Sequence, residues 1–468
     1  MSLKKSFLFL LATTLVFTSF FYLQKPIKAD SDKTVVITFA SAPTAGSITV
    51  SKADLKYNKD FALSYTFDDG YIEGYNPVFR YLHGGYVDEL GETVGGLYYS
   101  DGTGRRVPFK GAFNWFSNGS VSFGDLHIDT PSNMTWDDLR ETYALGWEPI
   151  NHGWTSRYTP DPPDTIINYP DPHGPSPINY DYEVSQNTLR LFEELSATIK
   201  HFGLPAGDDN YIPAAWSNGM KTISHGHPSA QNNYGLIDTS ETLDFDQFEY
   251  MRTYFADETT LQDMKDYVDM IAESSVDGAK YWGVATSHRV RTPVSPPDSG
   301  NLDFNNFKGF IDYTSDTYGI DGIDSIWMAS VPEVYEYLVS KQQTIVNTSL
   351  EGNTLTITLD DSGVDTDLRR YALSLIVEAD ADIASISYGT DFTYHSENKD
   401  TGLINLDWGF ISTDNDLTRC EDLISTAESS KSRSDVDTAR TYVNLLDDGS
   451  EKTAFMSRLD DIEVNLTA

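Results

Sequence analysis

The chain has 468 residues, enough for about three domains of ordinary size and for a full buried core. Hydrophobic residues make up 39% of it, and Asp+Glu outnumber Lys+Arg by 71 to 33. The resulting formal charge of −38, or −42 without residues 1–29 and their four Lys, repels phosphate backbones and anionic lipid and argues against nucleic-acid binding and membrane adsorption. A single cysteine, Cys420, excludes an internal disulfide and a cysteine zinc cluster.

Lys4 and Lys5 precede an uncharged stretch from Phe7 to Leu23, and Ala29 stands where a small residue precedes a cleavage point. Residues 1–29 read as a secretory signal, with an uncleaved membrane anchor as the alternative. The expected location is secreted, extracellular or at the cell surface. An exported chain with one Cys must then be held together by its core.

Next come two short strands, Val35–Phe39 and Ser47–Val50, separated by a Pro/Gly turn and expected to form a small hairpin within residues 30–56. The apolar run Phe61–Phe67 predicts a buried strand that stops at Asp68-Asp69-Gly70. Thr135 is a candidate N-cap for a helix carrying Trp136, Leu139 and Tyr143, with Gly146 as its stop and a strand over Trp147–Ile150. Residues 159–179 hold seven Pro and predict a long surface loop that could wall a groove. Helical spacing recurs at Val184, Thr188, Leu191, Leu195 and Ile199, ending at Gly203, and at Leu261, Met264, Val268 and Ile271.

This alternation predicts an α/β fold with a parallel sheet or barrel over residues 57–341, active residues lying at the C-terminal ends of strands. From residue 342 to 412 the period changes to two, with Leu355, Ile357 and Leu359 alternating with Thr and Asp, and a small β-sandwich-like domain is expected. Residues 413–468 carry three amphipathic stretches, Leu417–Glu428, Asp435–Leu446 and Glu451–Ile462, and fit a three-helix module.

Asp68 and Asp69 place two carboxylates in a strand-ending loop, where one can bind a metal while the other accepts a proton. The tripeptide is not diagnostic by itself, since Asp447-Asp448-Gly449 repeats it between two predicted helices as a solvated turn. A glycosidase pair is poorly matched, because its two carboxyl groups flank a bond about 5 to 9.5 Å apart.

The longer string Tyr65-Thr66-Phe67-Asp68-Asp69-Gly70 resembles the first motif of the polysaccharide deacetylase family, carbohydrate esterase family 4. Asn151-His152-Gly153-Trp154-Thr155-Ser156 is similar to the second motif, with Ser156 standing where that family has a second His. The third motif is matched weakly by Gly203-Leu204-Pro205-Ala206-Gly207, which lacks the Arg that holds the catalytic Asp in family members. Tyr281 to His288 resembles the fifth, an apolar strand leading to a His.

The resemblance covers about residues 57 to 341 and implies a distorted (β/α) barrel of about seven strands. It implies Asp68 as general base, His288 as general acid, and Asp69 and His152 as ligands of a divalent metal, usually zinc. Asp plus one His is fewer than the three protein ligands a catalytic zinc normally takes. His225 and His227 are further candidates by chemistry only, each read first as a surface-loop residue. The implied function is a secreted, metal-dependent deacetylase removing N-acetyl or O-acetyl groups from an extracellular or cell-wall polysaccharide. The alternative is a non-catalytic surface carbohydrate-binding or adhesion protein on a degenerate barrel of the same kind. Trp115 and Trp154 are candidate sugar-stacking residues.

Overall fold

The computed structural model describes residues 32–44, 46–118, 132–155, 178–225, 235–256, 258–291, 301–409, 417–444, 446 and 449–466. The segment 1–29, most of the Pro-rich stretch, Ser156 and His227 lie outside the described residues. No helix among the described residues is long and apolar enough to cross a membrane.

Eight parallel strands build the central sheet: β1 (Phe61–Phe67), β2 (Ala112–Trp115), β3 (Glu148–Asn151), β4 (His201–Gly203), β5 (Thr222–His225), β6 (Phe248–Met251), β7 (Tyr281–Ser287) and β8 (Ile326–Met328). The order β7-β1-β2-β3-β4-β5-β6 follows the chain, apart from β7 closing back on β1. Beyond Arg252, the continuation of β6 at Thr253–Tyr254 pairs with Ala285–Thr286 of β7, so one chain segment bridges β5 on one side and β7 on the other and closes the ring. β8 lies beside the lower half of β1 (Ile326↔Phe61), while β2 takes the upper half (Thr66↔Ala112). The expected α/β barrel is present, with seven strands in the ring and an eighth alongside.

Local signals set the helices. Thr135 caps Trp136–Ala144 and Thr260 caps Leu261–Ser274, each through a capping box with an Asp three residues on. The helix expected to run on through Ile199 instead spans Tyr180–Leu195 and stops at Ser196, which adopts the left-handed conformation; Ile199 is buried in the connection that follows. Inside the barrel Phe67 and Phe113 pack on Trp147 at centroid distances of 6.1 and 5.3 Å. A Cβ at Gly111 would come within 2.8 Å of the Trp147 ring and 2.9 Å of the Tyr65 carbonyl, so only glycine lets β2 start beside that ring.

The expected N-terminal hairpin does not form. Strand Thr34–Phe39 pairs with Thr354–Asp360 and Ile383–Tyr388 in one four-stranded antiparallel sheet, and Thr49–Lys52 pairs with Tyr371–Glu378 in another. The N-terminal strands thus complete the sandwich, burying Val35, Ile37 and Phe39 against Leu355, Ile357, Leu373 and Trp408. Pairing across some 320 residues leaves no trace in local sequence, which is why two neighbouring strands read as partners. Helices Leu417–Ser430, Arg433–Asn444 and Ser450–Leu466 pack together and reach the barrel, where the Tyr86 backbone donates to Asp437 and Thr93 donates to Glu463.

Barrel and sandwich are joined by buried charge. Glu148 of β3 accepts from both Arg369 (2.8 Å) and Arg370, and Glu336 accepts from the backbone N–H of each. Burial first, then the neighbouring Glu148, pushes the Glu336 carboxyl above the usual range. Arg370→Ala leaves the buried Glu148 without one of its two guanidinium partners, and urea unfolding is expected to show a loss of roughly 3–5 kcal/mol.

Candidate active site

The residues singled out in the sequence meet at the C-terminal ends of the barrel strands. Asp68 follows β1, His152 follows β3 and His288 follows β7. Asp69 and Gly70 both adopt left-handed backbone (φ 69° and 61°), which turns the chain sharply off β1. Asp68 is buried, while the Asp69 side chain is 23% exposed.

Asp68 Oδ1 is the hub. It accepts from Arg252 Nη1 at 2.6 Å, from Thr286 Oγ1 at 3.2 Å and from Asn114 Nδ2, and Arg252 Nη1 also reaches Thr66 and Thr286. Burial opposes ionisation of this carboxyl. Opposite charge, that of the Arg252 guanidinium first, outweighs burial and holds Asp68 well below the usual carboxylate range. It is therefore a carboxylate at neutral pH. Arg252→Gln is expected to raise the pKa of the Asp68 carboxyl by about 1–3 units, read by NMR titration of its carboxyl carbon, because the cation that favours the ionised form is lost.

His152 is buried, and its Nδ1 lies 2.7 Å from the Gly203 carbonyl, which can only accept. That bond places the proton on Nδ1 and leaves the Nε2 lone pair facing Asp69 Oδ1 at 3.8 Å. Burial, opposed by Asp68 and Asp69, depresses the His152 pKa and favours the neutral imidazole. Gly203 has its own constraint: a Cβ there would sit 2.5 Å from Asn114 Oδ1 and displace the amide that donates to Asp68. On the other side of Asp69, His288 Nε2 lies 3.8 Å from Oδ2, while His288 Nδ1 is 2.7 Å from the Tyr254 hydroxyl. His288 is 33% exposed by side chain and so faces the barrel mouth.

Two of these donors fit a divalent ion. An imidazole nitrogen with its tautomer fixed and a carboxylate oxygen lie across a gap that two bonds of ~2.0–2.2 Å can bridge. No group of three or more His, Cys, Asp or Glu placed to hold a metal occurs among the described residues.

Four participants escaped the sequence reading: Arg252, Asn114, Thr286 and Tyr254. The arginine absent from Gly203–Gly207 has a counterpart two strands away, where Arg252 meets the same carboxylate. A signal existed, since Phe248, Tyr250, Arg252 and Tyr254 alternate along one strand and a lone Arg falls in an apolar row. His225 closes β5 but pairs with Glu249 (2.7 Å) and Asp209 (3.7 Å), apart from the Asp68 cluster. Trp115 is fully buried against Trp136 and cannot stack on a sugar; Trp154 is partly exposed beside His152.

No family profile matches the chain, and no curated protein does. Solved structures to which it is similar include deacetylases and an acetyl xylan esterase. A Streptococcus pyogenes deacetylase, PplD, in complex with acetate is 14% identical, with a TM-score of 0.25, 40% of this chain covered and 61% of that one. A polysaccharide deacetylase from Bacillus cereus is 12% identical, with a TM-score of 0.28, 43% of this chain covered and 50% of that one. The present chain thus spans less than two thirds of the length of either. A family 4 acetyl xylan esterase from Clostridium thermocellum in complex with a cobalt ion is 12% identical, with a TM-score of 0.29 and coverages of 58% and 90%.

Proposed function

We propose that the chain is a secreted, metal-dependent deacetylase that hydrolyses acetyl groups on an extracellular polysaccharide. The observation that carries this reading is the meeting of Asp68, Asp69, His152 and His288 at one barrel mouth, with Arg252 fixing the ionised state of Asp68.

Asp69 and His152 would hold the ion, which when bound supplies Lewis-acid activation of water and of the acyl carbonyl. Asp68, ionised and held on one oxygen by Arg252, Asn114 and Thr286, takes the proton from the attacking water. Tyr254 fixes the His288 ring from its Nδ1 side, leaving Nε2 turned toward the site to deliver a proton to the departing nitrogen or oxygen. The partner is a polysaccharide, and the strongly negative chain disfavours nucleic acid. The signal-like segment 1–29 supports export.

Acetate release from acetylated glucosamine polymers and acetylated xylan tests the reading. Turnover that stops with a chelator and returns with added divalent ion is expected; absence of acetate release from every such glycan would leave carbohydrate binding without catalysis.

A further inference from the structure

Helix Tyr180–Leu195 packs against β3 and buries a stripe made of Glu183, Asn187 and Leu191, with Val184 beside them. Leu191 joins the main core, as the inner face of an amphipathic helix should. Glu183 and Asn187 are polar, yet both are 0% exposed. A polar group in such a place lowers stability unless it is hydrogen-bonded. Their partners lie in the two chain segments that leave the upper ends of β2 and β3, and the second of these carries His152.

Asn187 accepts from the Ser117 backbone N–H at 3.0 Å and donates to the Trp115 carbonyl at 2.7 Å and to Asn151 Oδ1 at 2.8 Å. The Trp115 carbonyl also accepts from the His152 backbone N–H at 3.1 Å, so Asn187 and His152 share one oxygen. Asn151 donates to the Val184 carbonyl at 3.0 Å and to Thr188 Oγ1 at 2.9 Å, and it accepts from the Gly153 N–H at 2.9 Å. On the far side of the imidazole, Glu183 accepts from the Thr155 backbone N–H at 2.7 Å and from the Thr155 hydroxyl at 3.0 Å. His152 is therefore bracketed. Asn151 before it and Thr155 after it are both bonded to one helix, and Gly153, at φ 91°, makes the left-handed turn between them.

We propose that Glu183 and Asn187 are positioning residues for His152, holding the segment 151–155 so that the imidazole keeps its Nδ1 bond to the Gly203 carbonyl and its Nε2 turned toward Asp69. The groups behind a ligating imidazole fix its direction, and a ring held loosely binds an ion weakly. The consequence for ion binding rests on the reading given under Proposed function; the placement of the ring does not.

The test reads the ring first with no ion present. In the full chain carrying nitrogen-labelled histidine, the hydrogen-bonded Nδ1–H of His152 is expected to give a slowly exchanging downfield proton resonance, assigned by its disappearance in His152→Gln. The resonance is expected to persist in Leu191→Ala, which removes apolar contact from the same helix face and lowers Tm, and to be lost to solvent exchange in Asn187→Ala and Glu183→Ala. Glu183→Gln keeps one acceptor for Thr155; it is expected to fall between wild type and Glu183→Ala, and it carries the test if an alanine variant does not fold. Zinc affinity, measured by chelator competition, is expected to follow the resonance, weakening by about 10–100-fold in the two alanine variants and staying unchanged in Leu191→Ala. Retention of the resonance in folded Asn187→Ala and Glu183→Ala, or an equal loss in Leu191→Ala, overturns the proposal. Loss of the resonance in these variants of a chain that releases no acetate upholds the positioning role and removes the deacetylase reading; acetate release with an unmoved resonance does the reverse.

Discussion

Asp68→Asn is expected to lower acetate release by about 10²–10⁴-fold while the protein still binds a divalent ion. The substitution keeps the shape of the side chain and an oxygen that can accept from Arg252, Asn114 and Thr286, but removes the negative charge and the basic lone pair. The buried Arg252 then faces a neutral amide, so a loss of stability of about 3–5 kcal/mol is expected alongside the loss of turnover. The two effects separate by measurement: circular dichroism at the assay temperature reports folding, and equilibrium dialysis reports the ion. Undiminished acetate release from folded Asp68→Asn would remove Asp68 from the role of base.

The second large effect falls on the ion. Asp69→Ala and His152→Ala each remove one of the two donors that face each other across 3.8 Å, and each is expected to weaken binding of zinc or cobalt by about 100-fold or more, as read by competition with a chromophoric chelator. With three protein ligands the loss of one is partly absorbed by the other two; with a pair it is not. His152→Gln, which keeps an acceptor near the imidazole position but cannot reproduce the Nδ1 bond to the Gly203 carbonyl, is expected to fall between wild type and His152→Ala. Equal affinity in all of these would place the ion elsewhere.

Legibility in the sequence followed the range of the interactions. Capping is local, and Thr135 marked its helix to the residue. Strand ends are local as well: the apolar runs ahead of Asp68, His152 and His288 put all three at the mouth of one barrel, since parallel strands present their C-terminal ends together. Arg252 went unseen for a different reason. The motif that Gly203–Gly207 resembles places its arginine after β4, whereas here the cation comes from the strand that closes the ring, and nothing near position 252 says which carboxylate it will meet. Tyr254 and Asn114 are likewise defined by what lies across the barrel. The strands Thr34–Phe39 and Thr49–Lys52 were legible as strands but not in their pairing, because register with partners some 320 residues away is set by the sandwich core.

The most direct test is diffraction from crystals of the full chain grown with zinc, collected at the zinc absorption edge. The expected result is one anomalous peak ~2.0–2.2 Å from both Asp69 Oδ1 and His152 Nε2, with Asp68 beside it and still joined to Arg252. An ion bound away from Asp69, or an Asp69–His152 pair that stays free of metal while acetate is released, would contradict it.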